Sequence, residues 1–471
     1  MEYIENKTFD EIKVGESAEI VRTLTWNDIE LFATVSGDVN PAHVDETFAH
    51  NNYFHKIIVH GMWGGSLIST VLGTKLPGPG TIYIEQSLNF KKPIGIGDTV
   101  TVKVTAKEKN PLKKIITFLC TITNQKNEEV TEGVAVVRAP TEKIRRPRIE
   151  LPELILRKPG ELYRDLVKKL HKVEPVKTAV VHPVDEVSLL GAIESAQANL
   201  IIPILVGPEA KIKAAAEKFK IDLSPYEIIA MPHSHAAAEK GVSLAREGAV
   251  GALMKGALHT DELMHAALDR DSGIQTDRRM SHVFVMDIPN YPRLLLVSDA
   301  AINIYPNLDD KKDIVQNAID LALDIGIELP KVAILSAVET VSSKIQSTLD
   351  AAALCKMADR GQIKGGILDG PLAFDNVVSK EAAKIKGIVS LVAGKADVII
   401  TPDLESGNLL VKQLEYLSEA QSAGIVLGAK VPIILTSRSD KPITRLASSA
   451  LAVTVVNKMF ALKAEEAKEG A

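Results

Sequence analysis

The 471-residue chain has few cysteines, few aromatic residues and no excess of basic charge. Cys120 and Cys355 are its only cysteines and show no ligand-like spacing, so both are expected as reduced interior residues of a cytosolic enzyme. Aromatics make up 4%, which leaves the core to Val, Ile, Leu and Ala. A net charge of -5 and a pI near 6.2 exclude a nucleic-acid surface, which would need clustered base. No uncharged apolar run is long enough to span a membrane, and Met1 to Asp10 lacks the basic-then-apolar pattern of a secretory signal. A cytoplasmic protein with no membrane partner is the expectation. There is no G-x-G-x-x-G after a strand and no G-x-x-x-x-G-K-S/T, so dinucleotide and ATP-type phosphate loops are unsupported.

What is present reads as a soluble globular protein, with 46% hydrophobic and 24% charged residues. At this length two or three domains are expected. Thr25 is placed to cap a helix through Ile29 and Phe32, which leads into Ser36-Gly37-Asp38-Val39-Asn40-Pro41-Ala42-His43-Val44-Asp45. Pro41 fixes φ, removes a donor and pushes Asn40 out of the helical region, so this stretch reads as a loop carrying an acid and an imidazole. Gly61-Met62-Trp63-Gly64-Gly65 and the apolar run Ser66 to Leu72 then begin a buried helix. Val100, Val102 and Val104 alternate with polar neighbours, as do Ile116, Phe118, Cys120 and Ile122. With Val130 to Val137 they give an antiparallel meander, a pattern several α+β folds share.

The loop matches S-G-D-x-N-P-x-H-x-D, and over it the chain resembles the MaoC-type (R)-specific enoyl-CoA hydratases of the hot-dog fold. The resemblance implies that Asp38 and His43 act as an acid/base pair on one water, with Gly61 as an oxyanion donor and Asn40 and Met62 lining the substrate site. It implies no metal. Taken singly, the Asp is a common Asx-turn acceptor and a lone His is commonly structural. His50, His55 and His60 recur every fifth residue without zinc-like spacing and read as surface or cap residues.

Residues 141–160 form a basic, proline-rich tether with Lys143, Arg145, Arg146 and Arg148. Beyond it, short Val/Ile-rich runs such as Ile201 to Val206 and Val332 to Leu335 alternate with amphipathic segments such as Asp185 to Ala198 and Asp309 to Ile325. That alternation predicts an α/β unit with a mostly parallel sheet. Ser298-Asp299-Ala300-Ala301-Ile302-Asn303, Leu368-Asp369-Gly370-Pro371-Leu372, Pro402-Asp403-Leu404-Glu405-Ser406-Gly407-Asn408 and Thr436-Ser437-Arg438-Ser439-Asp440 follow in that order. As an ordered set they resemble the phosphate acetyl/butyryltransferases, the butyryl type more than the acetyl type. The resemblance implies that Arg438 binds phosphate and Ser437 polarises the thioester. Gly407 and Asn408 would offer donors to an anion, and Asp299, Asn303, Asp369 and Asp440 follow as further binding candidates. Thr444 stands about where acetyl-type members carry an acid for the coenzyme A thiol. Arg278-Arg279 is a further basic pair, set either to reach a phosphate or to face solvent.

The expected architecture is an α+β hot-dog domain over 1–140 and, after the tether, a larger α/β phosphate acyltransferase domain in two subdomains over 161–471. Enoyl-CoA or acyl-CoA and inorganic phosphate or acyl phosphate are the implied substrates, with no permanently bound cofactor, and a homo-oligomer is implied as the working state.

Overall fold

The computed structural model describes residues 3–51, 53–149, 160–170, 173–435 and 441–469. The chain forms two compact units, Met1–Leu156 and Arg157–Ala471.

The first unit contains β1 (Tyr3–Glu5), β2 (Ser17–Thr23), α1 (Trp26–Ser36), α2 (Pro41–Val44), α3 (Glu46–Asn51) and α4 (Gly61–Thr74). These are followed by β3 (Ile82–Phe90), β4 (Thr99–Asn110), β5 (Ile115–Asn124), β6 (Glu129–Arg138) and β7 (Arg145–Pro147). An antiparallel sheet in the order β2-β4-β5-β6-β3 wraps α4, which is the hot-dog arrangement. The period of two explains the packing. Val100, Val102 and Val104 on β4 and Ile116, Phe118, Cys120 and Ile122 on β5 are fully buried, facing Trp63, Ile68, Val71 and Leu72 in one core. Each such aliphatic side chain contributes about 1.5–3 kcal/mol by leaving water. Gly64 sits where a Cβ would lie 3.0 Å from the Ile122 side chain, so a small residue sets how closely α4 approaches the sheet. At its N-terminus, Thr25 caps α1 in a capping box with Asp28. The front of the basic stretch is not extended tether: β7 pairs antiparallel with β1, and Lys143 bonds Glu11.

The second unit opens with α5 (Glu161–Lys169), β8 (Val176–Val181), α6 (Glu186–Gln197), β9 (Ile201–Gly207), α7 (Glu209–Phe219), β10 (Glu227–Ala230), α8 (Ser234–Arg246), β11 (Ala252–Lys255) and α9 (Thr260–Ala267). It continues through β12 (Ser281–Asp287), β13 (Leu295–Ser298), α10 (Leu308–Asp324), β14 (Lys331–Leu335), α11 (Gln346–Asp359), β15 (Ile367–Leu372), α12 (Phe374–Val378) and α13 (Lys380–Ile385). It closes with β16 (Val398–Ile400), α14 (Leu404–Leu417), β17 (Gln421–Leu427), β18 (Ile433–Ile434) and α15 (Pro442–Glu469). One sheet runs β10-β9-β8-β11-β18-β17-β12-β13-β16-β14-β15. The first five strands are mutually parallel, as are the last four. Between them β17 and β12 pair antiparallel with their neighbours, so the two parallel blocks run in opposite senses. This gives the two-subdomain division a physical form. The inner strands are buried on both faces, as a sheet covered by helices requires, while the edge strands β10 and β15 are partly exposed.

Candidate functional site

In the first unit the acid/base loop is built by two short helical features. Gly37 ends α1 in the left-handed conformation, φ 73°, where a glycine costs least. Asn40 then caps α2, its Oδ1 accepting from the Ala42 N–H at 3.1 Å, with Pro41 in the first turn. Asp38 lies between them. Its Oδ1 accepts from the Asn40 N–H at 3.2 Å, so the Asx-turn reading of this acid is correct as far as it goes.

The carboxylate does more than close a turn. Ligand atoms of Asp38, His43 and His60 lie within 4.8 Å of one another. His43 Nδ1 is 2.8 Å from the Ile58 carbonyl. A carbonyl only accepts, so His43 carries a proton on Nδ1, and in the neutral ring Nε2 is the atom left to act as a base. His43, Phe54, Gly61, Phe90, Ile94 and Thr131 line a cavity of about 250 Å³. Gly61 opens α4, so its N–H and that of Met62 lie in the first turn, where no helical carbonyl precedes them. Met62 itself is exposed.

His60, expected at the surface or as a cap, is the N-cap residue of α4 and is buried. Its ring lies 4.0 Å from that of His43 and 5.1 Å from that of Phe32, and its Nε2 is 2.9 Å from the Asp38 carbonyl. His50 and His55 are exposed and remain apart from this group. The three-residue cluster has the donor types of a metal site, and one nitrogen of each ring is committed to a carbonyl, Nε2 in His60 and Nδ1 in His43.

In the second unit, Asp299 follows β13 and is buried. It accepts from the N–H groups of Ala301, Ile302 and Asn303 and from Asn303 Nδ2. Burial pushes its carboxyl above the usual carboxylate range, and those donors oppose the shift. Asn303 Oδ1 accepts from Arg279 Nε at 2.7 Å, while Arg278 pairs with Asp320. The basic pair is therefore held by side chains of this unit.

Two expectations require correction. Gly407 and Asn408 do not precede a helix; they lie inside α14, and the Gly407 N–H bonds the Asp403 carbonyl within it. An N–H used by the helix is not available to an anion. Gly407 instead packs α14 against the turn: a Cβ there would lie 2.7 Å from the Asp299 carbonyl oxygen and from Thr401 Oγ1. Asn408 Nδ2 reaches the Ala300 carbonyl at 3.4 Å. Asp299, Asn303, Gly407 and Asn408 thus form one structural knot. Asp369 stands apart from it on β15, three strands from β13, or about 14 Å at ordinary strand spacing. Ser437, Arg438 and Asp440 lie outside the described residues. β18 delivers the chain toward them, and it leaves β18 and β13 heading in opposite directions. Thr444 is buried in α15 and has no acidic group to offer.

Comparison with known proteins now decides the kinship. The Phosphate acetyl/butaryl transferase family matches residues 230–453, and the MaoC like domain matches residues 10–128. A phosphate acetyltransferase of Rhizobium meliloti is 59% identical over 290 residues, covering 62% of this chain and 92% of that protein. The chain belongs to the phosphate acetyl/butyryltransferase family, with a MaoC-like hot-dog domain ahead of it. A phosphate butyryltransferase of Clostridium beijerinckii is 41% identical over 62% of this chain and 97% of its own length. The resemblance is thus higher to that acetyl-type relative than to that butyryl-type one, against the expectation from motifs. Among solved structures, a branched-chain phosphotransacylase from Enterococcus faecalis matches 60% of this chain and 99% of its own, with 26% identity and a TM-score of 0.53. Among the described residues, no helix is long and apolar enough to cross a membrane.

Proposed function

We propose that the chain is a bifunctional acyl-CoA enzyme. Its second unit transfers acyl groups between coenzyme A and phosphate, and its first hydrates trans-2-enoyl-CoA to (R)-3-hydroxyacyl-CoA. The transferase activity is supported by the family match and by relatives named for that reaction across nearly their whole length. In the direct route, a phosphate oxygen attacks the thioester carbonyl, the tetrahedral oxyanion needs fixed donors, and the thiolate leaves. Arg438 is assigned to phosphate and Ser437 to the thioester, with Asp440 and Asp369 as further binding residues. Asp299 and Asn303 shape the turn that follows β13.

The hydratase reading is carried by one observation: Asp38 and His43 converge within 4.8 Å of each other, and His43 and the Gly61 end of α4 line one cavity, whose wall is mostly apolar with Lys91 and Lys92 in it. Water placed between the carboxylate and His43 Nε2 loses a proton as its oxygen bonds the β-carbon of the enoyl thioester. The α-carbon then takes a proton from the same pair, which returns it to its starting state. The N–H of Gly61 stabilises the enolate oxygen between these steps. Asn40 holds the turn, and Met62 borders the substrate.

Two variants separate the activities. Asp38→Asn is expected to lower crotonyl-CoA hydration by at least about 10²-fold while acyl phosphate formation is unchanged. Arg438→Ala is expected to do the reverse. Hydration that survives in Asp38→Asn would remove Asp38 from the acid/base pair, and a wild type that does not hydrate crotonyl-CoA would leave the first unit as an acyl-CoA-binding or dimerisation module with the transferase as the sole activity.

A further inference from the structure

We propose that His60 is a positioning residue of the acid/base loop: it fixes the Asp38 backbone with a hydrogen bond and the His43 ring by ring-to-ring packing, and it does not touch substrate. This rests on the hydratase reading of the first unit.

The argument starts from burial. His60 is 3% exposed, and its Nδ1 has no hydrogen-bond partner. An orphaned buried nitrogen costs free energy and is retained only where the ring is held by something else. Here it is held on two sides. Nε2 stands 2.9 Å from the Asp38 carbonyl oxygen, 22 residues away in sequence. Because a carbonyl can only accept, the proton sits on Nε2 and the orphan is the Nδ1 lone pair. The ring also packs against Phe32 of α1 and His43 of α2, with its plane tilted 40° and 36° to theirs.

Asp38 lies on an exposed loop between the left-handed Gly37 and the α2 cap. Its own carboxylate bond, to the Asn40 N–H, is local to the turn and does not fix the turn relative to α4. The His60 bond does, since His60 is the residue from which α4 starts. Gly61, the assigned oxyanion donor, is the next residue. One imidazole therefore ties the acid, the base and the oxyanion donor into a single frame. The two histidines have complementary tautomers, Nδ1–H on His43 and Nε2–H on His60, each set by a carbonyl.

Misplacement of reacting groups by about 1 Å costs on the order of 10²-fold in rate. His60→Phe keeps the ring and removes the donor. His60→Gln keeps a donor that can reach a carbonyl and removes the ring. On the full chain with crotonyl-CoA, His60→Phe is expected to lower kcat by about 10²-fold at nearly constant KM, with His60→Gln recovering at least about tenfold of that loss. The phosphate acyltransferase rate of the same preparations should not move. Wild-type hydration by His60→Phe, or a loss confined to KM, overturns the assignment. If the wild type shows no hydration, the hydratase reading fails instead. The frame is then judged by ¹⁵N spectra of histidine-labelled full-length protein, with the two signals assigned from the variants. His60 as the Nε2–H tautomer and His43 as the Nδ1–H tautomer support it. Either ring in the other tautomer overturns it, and so does a His43 signal identical in wild type and His60→Phe.

Discussion

His282 shows what burial does to a single side chain. It sits on β12, is completely enclosed, and has its ring 4.2 Å from that of Phe284 with Nδ1 unpartnered. Burial penalises the charged form and pushes its pKa down to about 3. In the unfolded chain the same imidazole titrates near 6.5. Between those values the unfolded state binds a proton that the folded state refuses, so stability falls as pH drops from about 6.5 toward 3 and is fully present above 6.5. One such group gives a slope of at most about 1.4 kcal/mol per pH unit. Thermal unfolding followed from pH 7 to pH 5 is expected to show a steeper decline for the wild type than for His282→Leu. Parallel declines would mean that the ring is solvated or paired. The same desolvation lowers the pKa of His182, whose Nδ1, like that of His60, is buried without a partner. None of these three environments was legible in the sequence. What encloses these rings comes in part from distant segments: His60 meets Asp38 22 residues away, and Gly424 of β17 packs near His282. Of the acid/base decapeptide the loop was legible only as far as Asn40: Pro41–Val44, which carries His43, is the short helix α2, with Asn40 as its cap and Pro41 in its first turn, where a proline is tolerated.

At the scale of elements, the best-read features were those set by neighbours in sequence. Thr25 caps α1 and the alternating valines of β4 face the core, each as expected, and the amphipathic segment from Asp185 to Ala198 is α6, with Asp185 as its cap. The harder features depend on packing across the fold. β18 is two residues long, too short for any pattern, yet it bridges β11 and β17. Gly407 looked like a loop donor because Pro402 and Asp403 precede it, but Asp403 is the cap of α14 and the glycine falls one turn inside. Its role is proximity. A methyl group at 407 would meet the Asp299 carbonyl and Thr401 Oγ1 at 2.7 Å, and both are held, Thr401 by its bond to that same carbonyl. Gly407→Ala is therefore expected to destabilise the second unit by about 1–3 kcal/mol and to lower acyl phosphate formation. Denaturant titration and a transferase assay read both effects, and an unchanged midpoint would refute the packing role.

For the whole molecule, two units with separate cores follow from length and composition, but their surfaces do not. β3 pairs with β6 on one side only and ends the five-stranded sheet. It exposes Ile82, Tyr83, Ile84 and Phe90, a concentration of apolar side chains on an unprotected edge. Natural edges of this kind are usually covered or charged. A homo-oligomer joined through β3 is the expected arrangement. A chain ended at Ile149 should sediment as a dimer, and Ile82→Lys with Ile84→Lys should reduce it to a monomer. A wild-type fragment that is already monomeric would refute that route.

The reversal of strand sense across the large sheet has a further electrostatic result. Helices α6 to α9 begin where the strands of one parallel block end, while α10, α11 and α14 begin where those of the other block end. Their macrodipoles oppose one another and largely cancel in the far field, while each rim keeps its own set of partial positive charges within one turn of the surface. With a net charge of -5 on the chain, a polyphosphate ligand gains nothing from long-range steering. Capture is decided in the last few ångströms.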